Sequence, residues 1–147
     1  MKIGSDFDKI EFQLFGLDLL EPNGFIGNLL IATFALYYAN KIRTFVSNHP
    51  FYKNWILFYI IFALTFFSGS LGHLFYNYIG IYGKYLSWYL GIIFPYFAAQ
   101  AILSIHQNAD KRKKLQKYPK IILVLFLLTE TLLLLYYGKN ITSEKGV

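Results

Sequence analysis

Four long apolar stretches, separated by polar segments that carry glycine, proline and charge, dominate the chain. The first follows Pro22, a residue suited to a helix's first turn because no intrahelical acceptor awaits its missing N–H. The second contains the largely apolar run Trp55 to Ile79, and the short turn IGIYGK divides it from the third. The pattern predicts membrane-crossing helices at about 23–43, 54–79, 85–106 and 119–137. Each has roughly the 17–25 residues that a hydrocarbon layer of about 30 Å requires at 1.5 Å per residue. The expected fold is an all-α integral membrane bundle of four transmembrane helices forming a single membrane domain.

Residues 1–22 are different. They mix acids (Asp6, Asp8, Glu11, Asp18) with apolar positions from Ile10 to Leu20 that fit neither the helix nor the strand period cleanly. An interfacial lead-in is expected, either irregular or an amphipathic helix lying on the bilayer. The segment lacks the basic start, continuous apolar run and small-residue cleavage site of a signal peptide.

Composition agrees with this reading. Of 147 residues, 56% are hydrophobic and 15% charged, too apolar a balance for one soluble core to hide. The net charge of +6 does not point to nucleic acid, because the positive residues gather beside apolar runs. Lys41, Arg43 and Lys53 lie between the first two spans, and Lys111, Arg112, Lys113, Lys114, Lys117 and Lys120 between the last two. The remaining connection has Lys84 alone. The positive-inside rule then makes 107–118 a basic cytoplasmic loop, puts both termini on the other side and favours the plasma (inner) membrane. The loop's lysines are expected to touch anionic headgroups. The absence of cysteine excludes disulfides, thiolate metal sites and cysteine nucleophiles.

Ionisable groups in hydrocarbon are costly and normally face inward towards a partner. Two lie in the spans, His73 and Glu130. By residue count His73 is about 28 Å up the second span and Glu130 about 15 Å up the fourth. Glu21 and Asn28 enter from the outer side, so Glu21, Asn28, His73 and Asn77 should share an outer-leaflet pocket, with Ser70 beside the histidine. Thr65, Ser68, Gly69, Gly72, His73 and Tyr76 fall on one helical face, and the small residues among them allow another helix to approach closely. No cofactor is expected, and zinc at His73 is the one metal alternative. A zinc site takes three or four ligands, and His49 and His106 are expected at the opposite membrane face.

Glu21-Pro22-Asn23 leading into Gly27-Asn28-Leu29-Leu30, then Ser68-Gly69-Ser70-Leu71-Gly72-His73, resembles the first spans of bacterial seven-span membrane proteins that begin with an EP motif. More distantly it is similar to the superfamily of alkaline ceramidases and progestin/adiponectin-type receptors. That resemblance implies a first-span role for Asn28, a hydrolase-centre serine at Ser70 and a zinc ligand at His73. In that superfamily the serine and histidine are four apart; here they are three apart, and no acid follows the histidine closely. The paired histidines of its last span have no counterpart.

Three functions are therefore expected in order. The first is a membrane protein binding a lipid, an apolar ligand or a partner, including a second copy, through a pocket around His73. The second is a metal-dependent lipid amide or ester hydrolase, and the third a proton-coupled transporter using Glu130.

Overall fold

A backbone inside hydrocarbon must satisfy its own hydrogen bonds, and this chain does so with helices. The computed structural model describes residues 10–45 and 48–143, with side chains of the last helix described as far as Tyr136. Strands β1 (Glu11–Leu14) and β2 (Leu17–Leu20) come first. They are followed by α1 (Pro22–Arg43), α2 (Pro50–Leu74), the single turn α3 (Tyr76–Ile79), α4 (Tyr82–Ser104), α5 (Ala109–Leu115) and α6 (Lys117–Ser143). Three helical stretches are long and apolar enough to cross a membrane: α2, α4 and the run Ala109–Tyr136 through α5 and α6. At 22 residues α1 has a similar length, with Asn28 and Asn40 lowering its apolar content.

The lead-in is ordered differently from the expectation. Residues 11–20 form an antiparallel hairpin in which Leu14 pairs with Leu17 and Glu11 with Leu20. Its two-residue turn, Phe15-Gly16, has both φ angles positive (52° and 77°), the sense that matches the twist of the strands. The expected basic loop is also largely helical. Asn108 caps α5 by accepting a hydrogen bond from the Lys111 N–H at 2.9 Å, and Arg112, Lys113 and Lys114 sit at the negative end of the helix dipole. The expected second span, 54–79, is divided: α2 stops at Leu74 and α3 turns off beyond Phe75.

Packing is sequential, α1 on α2, α2 on α4 and α4 on α6, so among the described residues the long helices form an open row rather than a closed bundle. Lipid solvates apolar faces as well as another helix does, so nothing forces the row to close. Each seam uses small residues. Ala32 and Ala35 of α1 meet Ala63 of α2, with Tyr59, Phe62 and Phe66 around them. Between α2 and α4 the contact is closer still. A methyl built on Gly72 would lie 2.5 Å from the Gly83 carbonyl oxygen, and one on Gly69 would touch Ser87 Cβ at 3.4 Å. Further along the same two helices, away from the turn that joins them, the ring of Phe94 stands edge-on to Phe58 and Phe62, with centroids 5.6 and 5.1 Å apart.

Gly72→Ala drives a methyl against backbone that cannot move aside, and is expected to destabilise the protein by about 1–3 kcal/mol. Gly91→Ala meets only Thr65 Cγ2, at 3.9 Å. It should leave stability unchanged or raise it by about 0.5–1 kcal/mol through helix propensity. Thermal unfolding of the two variants in the same detergent compares them.

Candidate functional site

The hairpin places the site's first member. Its second strand is held to α3 by two hydrogen bonds: the Asp18 N–H donates to Tyr78 Oη at 2.8 Å, and Asn77 Nδ2 donates to the Asp18 carbonyl at 3.2 Å. Across the strands Gln13 Nε2 donates to Asp18 Oδ1 at 2.8 Å. Leu19 and Leu20 are buried beneath. The chain then turns into α1 through Glu21, whose N–H donates to the Ile10 carbonyl at 2.9 Å and whose backbone is left-handed (φ 51°, ψ 58°). A non-glycine residue adopts that conformation at a cost, and the hairpin bond on one side and Pro22 on the other hold it there.

From this position Glu21 reaches His73, in the last turn of α2: Oε2 lies 2.5 Å from Nδ1. With Glu21 ionised, Nδ1–H donates to the carboxylate and Nε2 is left with no bond among the described residues. A carboxylate holding one ring nitrogen sets the tautomer and aims the other at a ligand. Both side chains stay accessible, His73 at 35% and Glu21 at 43%.

The other expected members are distributed differently. Ser70 is fully buried and its hydroxyl donates to the Phe67 carbonyl of its own helix at 2.7 Å, so it does not extend alongside His73. Asn77 is exposed and its amide serves the hairpin. Asn28 is half-buried two turns along α1 from Glu21 and makes no side-chain hydrogen bond among the described residues. Glu130 is half-buried on α6, which packs against α4 and not against α1 or α2 to any comparable extent. Next to it Thr131 Oγ1 and Tyr89 Oη are hydrogen-bonded at 2.9 Å.

The remaining histidines sit at helix ends. His49 Nδ1 accepts from the Phe51 N–H at 3.2 Å at the start of α2, and His106 Nδ1 accepts from the Asn108 N–H at 3.1 Å ahead of α5. From His49 to His73 is the length of α2, about 36 Å at 1.5 Å per residue. Among the described residues no three His, Asp or Glu side chains converge as metal ligands. Two apolar cavities lie away from His73. One of about 410 Å³ separates α4 from α6, and one of about 250 Å³ sits among Ile42, Phe45, Phe51, Tyr52, Trp55 and Tyr59.

Asp18 and Tyr78 were not legible as site residues, although Phe12 and Leu14 alternate with polar neighbours ahead of a glycine, a hairpin signal in outline. Tyr78 had no signal at all, since its partner is a backbone N–H sixty residues away.

The arrangement of long apolar helices joined by small-residue seams, with one polar pair at the end of the row, is that of a helical membrane protein. The chain belongs to a family of unknown function, DUF6962, whose model matches residues 24–139. That match takes in α1 to α6 up to position 139 and leaves the hairpin and Glu21 outside it. Comparison with curated proteins and with solved structures returned no match.

The double variant Asn77→Ala, Tyr78→Phe removes both bonds between α3 and the hairpin. At about 0.5–1.5 kcal/mol per bond, hairpin amides should exchange with solvent roughly tenfold faster or more, while amides of the α2–α4 seam are unaffected. Hydrogen exchange read by mass spectrometry distinguishes the two regions.

Proposed function

We propose that the protein is a non-enzymatic, four-span integral membrane protein of the plasma (inner) membrane. It binds the polar end of a lipid or other apolar ligand at the outer boundary of the bilayer through His73, oriented by Glu21. The observation that carries this reading is the Glu21–His73 pair: two ionisable groups fifty-two residues apart meet at 2.5 Å, accessible, with Nε2 left over. A purely structural pair would be expected to spend both ring nitrogens and to be buried. The depth of His73, one end of α2, suits recognition of a headgroup or hydroxyl more than of an acyl chain.

In this reading α1 is the fourth span and both termini face away from the cytoplasm. Support comes from the basic residues: Lys41 and Arg43 end α1, Lys53 lies in the first turn of α2, and the cluster 111–120 runs through α5 into the start of α6. The hydrolase reading is less well supported, because Ser70 is engaged with its own helix and His73 has one carboxylate neighbour. The transporter reading would need Glu130 to exchange protons with both faces, and no second ionisable group lies on its stretch of α6.

Two experiments test the proposal. The chain has no cysteine, so single ones report sidedness: Glu11→Cys should react with a membrane-impermeant maleimide on intact cells, and Lys113→Cys only after permeabilisation. The opposite pattern refutes the topology. For the site, the protein in nanodiscs is irradiated with a photoactivatable phosphatidylcholine carrying its reactive group near the headgroup. His73→Ala should lower labelling of 66–84 by roughly tenfold, the value of a hydrogen bond to a charged group, with Glu21→Gln between it and wild type. Equal labelling of wild type and His73→Ala, at equal thermal stability, would refute the site.

A further inference from the structure

The turn of the hairpin breaks a local rule. A two-residue turn with both φ angles positive takes asparagine, aspartate or glycine at its first position, because a β-carbon there crowds the backbone. Here that position is Phe15, at φ 52°, followed by Gly16 at 77°. No contact within the protein offsets the strain: Phe15 is 94% exposed, and its ring stacks on no other among the described residues. A strained residue whose side chain the fold does not use points to a contact outside the chain.

Phe15 does not stand alone. Alternate residues of a strand share a face, so Leu14 and Leu17, paired beside the turn, lie on the same face as the pair Phe12 and Leu19. Leu19 is buried against the protein, whereas Leu14 and Leu17 are exposed. The apolar face therefore continues past the protein's edge at the tip.

Depth identifies what lies there. Both anchors of the hairpin are at one end of the long helices: Glu21 meets His73 in the last turn of α2, and Asp18 bonds Asn77 and Tyr78 of α3. Helix α3 stays close to that level, because seven residues carry the chain from α2 back to α4 and the Ile79 side chain lies against Gly83, the glycine facing Gly72. The hairpin therefore crosses the helix ends instead of standing clear of them. With 25 residues α2 is about 37 Å long, about 7 Å more than the hydrocarbon layer, which leaves its ends at headgroup level. Interfacial segments at that level bury their apolar side chains at the boundary between headgroups and acyl chains. The neighbouring rim is of the same kind, since Tyr78, Ile79 and Tyr82 are exposed beside the hairpin's anchor. From 11 to 20 the charged residues are Glu11 and Asp18, so attraction to anionic headgroups plays no part.

We propose that the tip Leu14-Phe15-Gly16-Leu17 is a membrane-inserting loop, with Phe15 and the two leucines seated at the headgroup–acyl boundary of the leaflet beside the helix row. The proposal does not depend on which side of the membrane this end faces, or on whether His73 binds a ligand.

The sign of one substitution is decisive. Phe15→Asn installs the residue that this turn favours, so without an outside contact it should slow hydrogen exchange of the hairpin amides. For the full chain in phosphatidylcholine nanodiscs the opposite is expected. Amides of residues 12–19 should exchange roughly three- to tenfold faster than in wild type, because the lost insertion outweighs the relieved turn. Nanodiscs containing phosphatidylglycerol should show the same change, since the tip carries no cation. A second measurement puts a probe at the tip. In a Trp55→Phe, Trp88→Phe background, Phe15→Trp should be quenched by lipids brominated near the top of the acyl chain and shielded from iodide. Gln13→Trp, on the other face of the hairpin, should be quenched by iodide alone. If the tryptophan variants do not fold, the exchange comparison still decides. Slower or unchanged exchange in Phe15→Asn overturns the proposal, as does an effect confined to phosphatidylglycerol discs. Iodide quenching of the Phe15→Trp variant without quenching by the brominated lipid overturns it too, and leaves Phe15 to a protein partner that the nanodisc lacks.

Discussion

The approach of α2 to α4 at Gly72 and Gly83, backbone against backbone, is the contact on which the rest of the architecture depends. In hydrocarbon there is no hydrophobic reward for bringing two helices together, so the gain comes from dispersion between closely fitted surfaces, and glycine permits the closest fit. With α2 and α4 joined at this level, the chain between them has only seven residues, 75–81, in which to reverse direction. It does so through α3, which puts Asn77 and Tyr78 at the end of the row. These residues receive the hairpin, and the hairpin in turn aims Glu21 at His73. A contact between two glycines thereby positions an ion pair that involves neither of them.

Polar side chains within the helices are mostly spent locally. The hydroxyls of Thr33, Thr65, Ser68, Ser70, Thr129 and Thr131 each donate to a carbonyl three or four residues back, which satisfies them without a partner helix. Among the described residues, the side chains that bond across elements include Glu21 with His73, Gln13 with Asp18, Tyr89 with Thr131, Gln100 with the turn before α6, and the two that hold the hairpin to α3. They lie near the ends of the helices or beside the α4–α6 cavity, and the apolar contacts between α1, α2 and α4 are left to shape complementarity. The two ends of the helices are chemically unlike, one carrying an accessible carboxylate–imidazole pair and the other a run of exposed lysines.

Much of the helical architecture was legible in the amino-acid pattern. Pro22 and Pro50 stand at the first positions of α1 and α2, Gly69 and Gly72 were readable as a close-packing face, and Glu21 and His73 as neighbours. The hairpin was hidden because its strands have four residues each and β2 has consecutive leucines that break the alternation. Helix α5 was hidden because seven mostly charged residues have no apolar stripe; its start is set by the Asn108 cap alone.

Length and hydropathy are properties of a continuous stretch, so the sequence by itself determined that apolar helices of membrane-crossing length would form and that basic charge would collect at one end. Which polar residues meet is a matter of helical phase, of rotamer and of single backbone angles, and these belong to the packed state. Only the tertiary structure decided that Ser70 turns into its own helix, that Glu130 stays with α4, and that a left-handed Glu21, held by a hairpin latched to Tyr78, reaches across to His73.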